Sequence, residues 1–109
     1  MSDILHTAIR HYFEASQARD AKAMARCFTN EGTVSDEHHT YMGPDAIATW
    51  AADTLTRYQM TCDVLAYRSQ GVQWEVMVRV SGQFPGSPLD FTYLFAAAGD
   101  EIASLEISL

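Results

Sequence analysis

The sequence predicts an α+β fold in which three helices pack on an antiparallel sheet. In residues 1–58 most apolar residues recur with helical spacing, and from residue 59 they alternate with the two-residue period of a strand. Helices that precede a run of strands are typical of α+β proteins. The length of 109 residues suits a single domain, which we assign to residues 1–109.

The first two helices are predicted from their caps and their apolar faces. Ser2 or Asp3 can cap the first helix. Its apolar face comprises Ile4, Leu5, Ala8, Ile9, Tyr12, Phe13 and Ser16. Asp20 is a good N-cap for a second, shorter helix, which Asn30 and Gly32 are expected to end. That helix carries on one side Met24, Cys27 and Phe28.

The third helix has the clearest amphipathic pattern of the chain. It is predicted to begin at Gly43-Pro44, because proline is favoured in a first helical turn. Asp45 then suits the positive end of the helix dipole. One face carries Ile47, Trp50, Ala51, Thr54, Leu55 and Tyr58.

A short strand and a polar turn separate the second and third helices. Residues 32–35 are predicted to form the strand, and Asp36, Glu37, His38 and His39 follow directly. Strand ends beside polar loops commonly hold functional residues, because the scaffold is rigid and the loop is accessible. The alternative is a solvated turn in which Asp36 accepts backbone hydrogen bonds.

Four closing strands are predicted at residues 60–68, 74–81, 91–95 and 103–108. They are joined by a turn at Gln70-Gly71, a connection at residues 84–88 and a turn at residues 98–101. Four strands in a chain this short bury one face against the helices, which leaves the other face exposed or covered by a second copy of the chain.

Charge and composition exclude several classes of partner. The formal net charge is −7 and no basic cluster is present, which argues against binding to nucleic acid or to an anionic membrane. No apolar run approaches the ~20 residues of a membrane span, and the first residues are not expected to form a signal peptide. Cys27 and Cys62 lack the spacing of a zinc or redox site, so we expect reduced thiols in the cytoplasm, no metal and no cofactor.

The ordered set of these features resembles one fold family. The resemblance is carried by Tyr12, Arg19-Asp20, residues 28–32, residues 34–36, residues 43–47 and the four closing strands. Together they resemble the nuclear transport factor 2-like superfamily, and within it the SnoaL-like and ketosteroid isomerase-like branch. The resemblance implies a cone-shaped, cystatin-like fold, in which a curved sheet wraps around the helices and leaves a pocket at its open end.

The resemblance also implies catalytic roles. Asp36 matches the aspartate at a strand end that serves ketosteroid isomerases as proton base, and Tyr12 matches the first-helix tyrosine that stabilises their enolate. His38 is a third candidate. Adjacent His38 and His39 point to opposite sides of an extended segment, so at most one of them would reach the pocket. The pKa of Asp36 is raised if apolar side chains surround it, or lowered if a protonated histidine lies nearby.

The pocket is predicted to be apolar. The second catalytic acid of the isomerases is missing, since its position falls on Phe91, and strand alternation turns Asp90 outward unless a bulge shifts the register. SnoaL-like cyclases need chiefly one acid/base side chain in an apolar pocket, which Asp36 can supply. The predicted ligand contacts are Phe28, Trp50, Trp74, Val76, Val78, Phe91, Tyr93 and Leu105.

Three functions are consistent with these features. The first is an isomerase or cyclase that uses Asp36 as general base on a small apolar carbonyl compound. The second is a binding protein for an apolar metabolite, and the third is an interaction domain. We also expect a homodimer, because superfamily members commonly pair through the outer sheet face. The contributing outward side chains are predicted to be Met77, Arg79, Thr92 and Leu94.

Overall fold

A computed structural model describes residues 4–109 and has an α+β architecture with a curved, mixed sheet. Within these residues the structure contains three helices and six strands. In chain order they are α1 (Thr7–Gln17), α2 (Ala21–Arg26), β1 (Phe28–Asp36), β2 (His39–Met42), α3 (Pro44–Tyr58), β3 (Thr61–Gln70), β4 (Gln73–Ser81), β5 (Leu89–Ala98) and β6 (Glu101–Ser108).

The six strands form one sheet in the order β2-β1-β6-β5-β4-β3. The prediction of an antiparallel sheet was wrong at one place, because β1 and β6 pair in parallel while every other neighbouring pair is antiparallel. Alternation reveals which face of a strand is buried, but it carries no information on the direction of a partner far away in sequence. The mixed sheet therefore has β2 and β3 as its edges.

The segment around Phe28 differs from its predicted form. Phe28 begins β1 instead of ending α2, because it pairs with Ile102 of β6 and the Ile102 amide donates to the Cys27 carbonyl at 2.9 Å. Gly32 lies where the β1 register shifts, and a Cβ there would come within 2.9 Å of the Phe28 Cβ. Residues 39–42, predicted as part of a loop, form β2 and pair with β1.

The helix starts agree only in part with their predicted caps. Asp20 caps α2 as predicted, its Oδ1 accepting from the Ala23 amide at 3.0 Å. The start of α1 was predicted too early, because His6 is its cap, with Nδ1 accepting from the Ala8 amide at 3.1 Å. The predicted caps Ser2 and Asp3 lie outside the described residues. Ile4 precedes the helix and is 79% exposed, so it is not part of the buried face.

The core lies between the helices and the inner face of the sheet. The helices contribute Ile9, Tyr12, Met24, Ile47, Ala51 and Leu55, and the sheet contributes Val34, Val76, Val78, Phe95, Ile102 and Leu105. A bulge between β5 and β6 lets both Ile102 and Leu105 face inward, although regular alternation would put them on opposite faces. None of the helices in residues 4–109 is long and apolar enough to cross a membrane.

The register of β6 predicts different effects for two neighbouring substitutions. Leu105→Ala should lower the free energy of unfolding by about 2–5 kcal/mol, because it leaves a cavity in the core. Glu106→Ala, at the exposed adjacent position, should change it by less than about 0.5 kcal/mol. Urea unfolding of both variants measures the difference, and similar losses at the two positions would contradict the register.

Candidate functional site

One end of the inner sheet face opens into a cavity of about 260 Å³. It lies between α3, the end of β1 and the connection from β4 to β5. Its wall is mainly aromatic and aliphatic, with two carboxylates, a composition common in small-molecule sites. The lining residues are Asp36, Glu37, Trp50, Thr54, Tyr58, Met60, Val80, Phe84, Pro85, Phe91, Tyr93 and Ile107.

Asp36 is the last residue of β1 and is partly buried in this cavity. Its Oδ2 accepts a hydrogen bond from the indole Nε1 of Trp50 at 3.1 Å. Trp50 comes from α3, where it is 5% exposed, so its indole is held in place by the core. The hydrogen bond fixes the orientation of the carboxylate.

The pKa of Asp36 is raised above its ordinary value. Burial is the main cause, the hydrogen bond from Trp50 acts in the opposite direction, and the negative charge of Glu37 raises the pKa further. His38 in the turn and His39 at the start of β2 are both exposed, and neither is among the causes of the Asp36 pKa shift. Of the two outcomes left open by the sequence, the raised pKa is the one that the structure supports.

His38 does not line the aromatic cavity. It borders an adjoining surface depression, which shares Asp36, Glu37, Phe91 and Ile107 with the cavity. The β1–β2 turn places Glu37 and His38 at φ values of 50° and 66°, a left-handed pair that hairpins usually build from Asn-Gly. Because the sequence lacks that signal, the hairpin and the position of His38 could not be predicted.

The rim of the cavity was not predicted from the sequence. The Tyr58 hydroxyl donates to Glu37 Oε1 at 3.0 Å, and the Tyr58 ring meets the Phe84 ring edge-on at 6.0 Å. The Gln83 amide donates to the Tyr58 carbonyl at 2.7 Å, which brings the β4–β5 connection against the end of α3. Gly82 permits this approach, because a Cβ there would lie 2.6 Å from the Tyr58 carbonyl oxygen.

The predicted ligand contacts divide into three groups. Those that line the cavity are Trp50, Phe91 and Tyr93. Four others belong to the closed core: Phe28, Val76, Val78 and Leu105. Trp74 is not among the residues that line the cavity, and its ring stacks on that of Tyr67 at 6.1 Å. The inner sheet face is longer than the cavity, so only the residues near its open end can contact a ligand.

Tyr12 does not line the cavity either. Its ring packs edge-on against Phe13, Phe28 and Phe95 at centroid distances of 5.2, 6.1 and 5.6 Å, and only 2% of the residue is exposed. Burial raises its pKa well above the ordinary value, and the charge of Asp36 contributes in the same direction. A core tyrosine therefore occupies the first-helix position that the resemblance assigned to catalysis.

Strand alternation separates Phe91 from Asp90 as predicted. Phe91 lines the cavity, whereas Asp90 lies on the outer face and accepts from Arg79 Nε at 2.8 Å and from its Nη2 at 3.1 Å. The hydrogen bond from Arg79 lowers the pKa of Asp90. Within residues 4–109, no group of three or more His, Cys, Asp or Glu side chains is arranged to hold a metal ion.

Comparison with known proteins identifies the family. The profile of the SnoaL-like domain matches residues 9–105. The chain belongs to the SnoaL-like domain family, within the nuclear transport factor 2-like superfamily. This SnoaL-like domain is also similar to the crystal structure of a candidate polyketide cyclase from Sinorhizobium meliloti, with 32% identity, a TM-score of 0.89 and 93% of each chain covered.

Two more distant structures share the fold of this SnoaL-like domain. The epoxide hydrolase/cyclase-like enzyme SalBIII, with a role in pyran ring formation in the polyether salinomycin, is 16% identical, with a TM-score of 0.81 over 93% of this chain and 86% of its own. A protein with a ketosteroid isomerase-like fold from Catenulispora acidiphila, in complex with trimethylamine, is 19% identical, with a TM-score of 0.82 over 94% and 85%. No curated protein matches the sequence significantly.

The raised pKa of Asp36 predicts how one substitution changes stability with pH. Folded Asp36 holds its proton more tightly than the unfolded chain does, so its contribution to stability falls as pH rises from ~3.9 through the raised pKa, and is level above it. Asp36→Asn removes this loss of stability, and the amide oxygen can still accept the hydrogen bond from Trp50. It should raise the melting temperature at about pH 7 and give no gain at about pH 3, below both pKa values.

Asp90→Asn is the matched control for this measurement. The pKa of Asp90 is lowered, so its stabilising contribution is present at neutral pH and is lost as pH falls through the lowered value. We expect Asp90→Asn to lower the melting temperature at neutral pH and to have little effect in acid. Thermal unfolding across this pH range compares the two variants, and a shift of the same sign for both would contradict the assignment.

Proposed function

We propose that this SnoaL-like domain is an isomerase or cyclase in which Asp36 acts as general base on a small apolar carbonyl compound. The observation that carries the proposal is the environment of the Asp36 carboxylate. It is partly buried in an aromatic cavity, Trp50 orients it, and burial raises its pKa. A raised pKa brings a carboxylate closer to the value at which a general base works best at neutral pH. The similarity to a candidate polyketide cyclase supports the same class of reaction.

The chemistry requires only one proton carrier. Asp36 removes a proton from the carbon next to the carbonyl, and the electron pair of the broken C–H bond moves onto the carbonyl oxygen as the enolate. The neutral Asp36 then returns the proton to a different carbon, which completes an isomerisation. In a cyclisation the enolate carbon instead attacks a second carbonyl of the same molecule, and Asp36 protonates the resulting alkoxide.

The cavity wall supports a neutral substrate. Among the described residues that line it are Asp36 and Glu37 but no lysine, arginine or histidine. An anionic substrate would meet two carboxylates in an apolar surrounding, which is unfavourable. Aromatic and aliphatic side chains make up most of the remaining wall, so a small, mostly apolar carbonyl compound is the best match.

Proton exchange tests this proposal without knowledge of the natural substrate. A panel of small cyclic ketones, including β,γ-unsaturated ones, is incubated with the protein in heavy water, and loss of the α-proton signal is followed by NMR. We expect accelerated exchange of at least one ketone, which falls by about 10²- to 10⁴-fold in Asp36→Asn. Asp90→Asn removes a carboxylate from the outer face and should leave the exchange rate unchanged.

Two results would contradict catalysis by Asp36. Equal exchange rates for the wild type and Asp36→Asn would mean that the carboxylate is not the base. Ketones that bind in the cavity but do not exchange would favour the second function, the binding of an apolar metabolite without chemistry.

We also propose that the domain forms a homodimer in the cytoplasm. The outer sheet face carries Met77 and Leu94 at positions that alternate with the buried ones, and the edge strand β3 exposes Leu65 by 47%. A second copy of the chain would cover this apolar surface. Cys27 and Cys62 are free thiols, which suits a reducing compartment.

Light scattering tests the proposed dimer. At tens of micromolar protein we expect the mass of two chains. Leu94→Glu should shift the mass toward one chain, because it places a charge on the outer sheet face. Ala52→Glu is the matched control, since it adds the same charge at an exposed position of α3 and should leave the mass unchanged. A wild-type mass of one chain would remove this proposal.

A further inference from the structure

The cavity wall contains several hydrogen-bond donors, and most of them are already paired with oxygen. Among the described residues that line the cavity, the Thr54 hydroxyl donates to the Ala51 carbonyl at 3.1 Å. The Trp50 indole donates to the Asp36 carboxylate at 3.1 Å, and the Tyr58 hydroxyl forms the rim hydrogen bond described above. Turning any of these donors toward a ligand would leave a protein oxygen without its partner, which costs free energy.

Tyr93 is paired differently. Its hydroxyl lies 3.8 Å from the sulfur of Cys62, and either group can be the donor. A thiol is a weak donor and a weak acceptor, so this hydrogen bond is a weak one. Tyr93 can thus redirect its O–H at lower cost than the other donors.

The position of Tyr93 also suits a ligand oxygen. Both tyrosines are buried, and the Tyr93 ring also packs against Phe13 and Phe95. Tyr93 lines the same cavity as Asp36, whereas Tyr12 does not. Burial raises the pKa of Tyr93 well above its ordinary value, which keeps the phenol protonated and able to donate. A planar ligand in contact with both residues would meet a proton acceptor at Asp36 and a hydrogen-bond donor at Tyr93.

We propose that Tyr93 of β5, and not Tyr12 of α1, is the catalytic residue that donates a hydrogen bond to the substrate oxygen. When substrate binds, the Tyr93 hydroxyl exchanges its hydrogen bond with the Cys62 thiol for one to that oxygen. The assignment rests on the proposed function, because it requires a carbonyl oxygen that gains negative charge as Asp36 takes up the proton. The O–H rotates toward the substrate oxygen, and no covalent bond of the protein changes.

Binding of 2-naphthol tests the donor without turnover. Its naphtholate form is a flat, apolar anion whose oxygen resembles that of an enolate. Asp36→Asn represents the neutral base that exists after proton uptake, so this variant should bind naphtholate more tightly than the wild type. In that background Tyr93→Phe should weaken binding by about 10- to 100-fold, the loss expected for a hydrogen bond to a charged oxygen. Fluorescence titration measures the affinities and distinguishes naphthol from naphtholate.

Tyr12→Phe is the matched control, since it removes the hydroxyl of a second buried tyrosine. In the Asp36→Asn background it should change the affinity by less than about twofold, as expected for a group without ligand contact. Cys62→Ala should leave the affinity equal or slightly stronger, because it frees the Tyr93 hydroxyl. Circular dichroism verifies that each variant is folded, and a variant that fails this check is replaced by Tyr93→Met or Tyr12→Met, which fill apolar space without a donor.

The outcomes separate this inference from the proposed function. If Asp36→Asn binds naphtholate no better than the wild type, Asp36 does not face the ligand and the proposed function fails. If Asp36→Asn binds more tightly but Tyr93→Phe has no effect, the proposed function stands and Tyr93 is not the donor. A loss on Tyr12→Phe in place of Tyr93→Phe would return the donor to the first helix and overturn the inference.

Discussion

The hydrogen bond from the Trp50 indole to the Asp36 carboxylate is the interaction on which the site depends. It joins the middle of α3 to the end of β1, two elements that β2 separates in the sequence. The buried α3 residues Ile47 and Ala51 hold the helix against the sheet. The position of the indole is therefore set by core packing and does not depend on the carboxylate. A carboxylate that is both oriented and partly desolvated can accept a proton from carbon at a defined position.

The two faces of the sheet give the same residue type opposite properties. Asp36 on the inner side has a raised pKa because burial disfavours its charge, whereas Asp90 on the outer side has a lowered pKa because Arg79 hydrogen-bonds to it. Both environments follow from the two-residue period of a strand. A one-residue shift of β5 would have placed Asp90 in the cavity and Phe91 in solvent.

The open end of the fold gives the cavity its shape. The β1–β2 turn supplies Glu37, the end of α3 supplies Tyr58, and the β4–β5 connection supplies Phe84. These three segments meet through the Tyr58–Glu37 hydrogen bond and the edge-on ring contact between Tyr58 and Phe84. Because the helices cover the core part of the inner sheet face, the entrance for a ligand lies between these segments.

Local signals in the sequence were enough to predict the class of the fold, the start of α3, the cap of α2 at Asp20 and the inward set of β4 and β5. These features depend on periodicity and on the chemistry of caps, which a single segment contains. Asp36 was likewise apparent as a candidate, because it ends a strand beside a polar turn and matches the base position that the resemblance implies. The packing of distant segments was needed for the direction of β1 against β6, the enclosure of Tyr12 among rings and the exposure of His38.

Alternation distinguishes inside from outside, but it does not distinguish a packed core, such as Val76, from a cavity wall, such as Tyr93. That distinction depends on how far the helices cover the sheet, which is a property of side chains brought together from the whole chain.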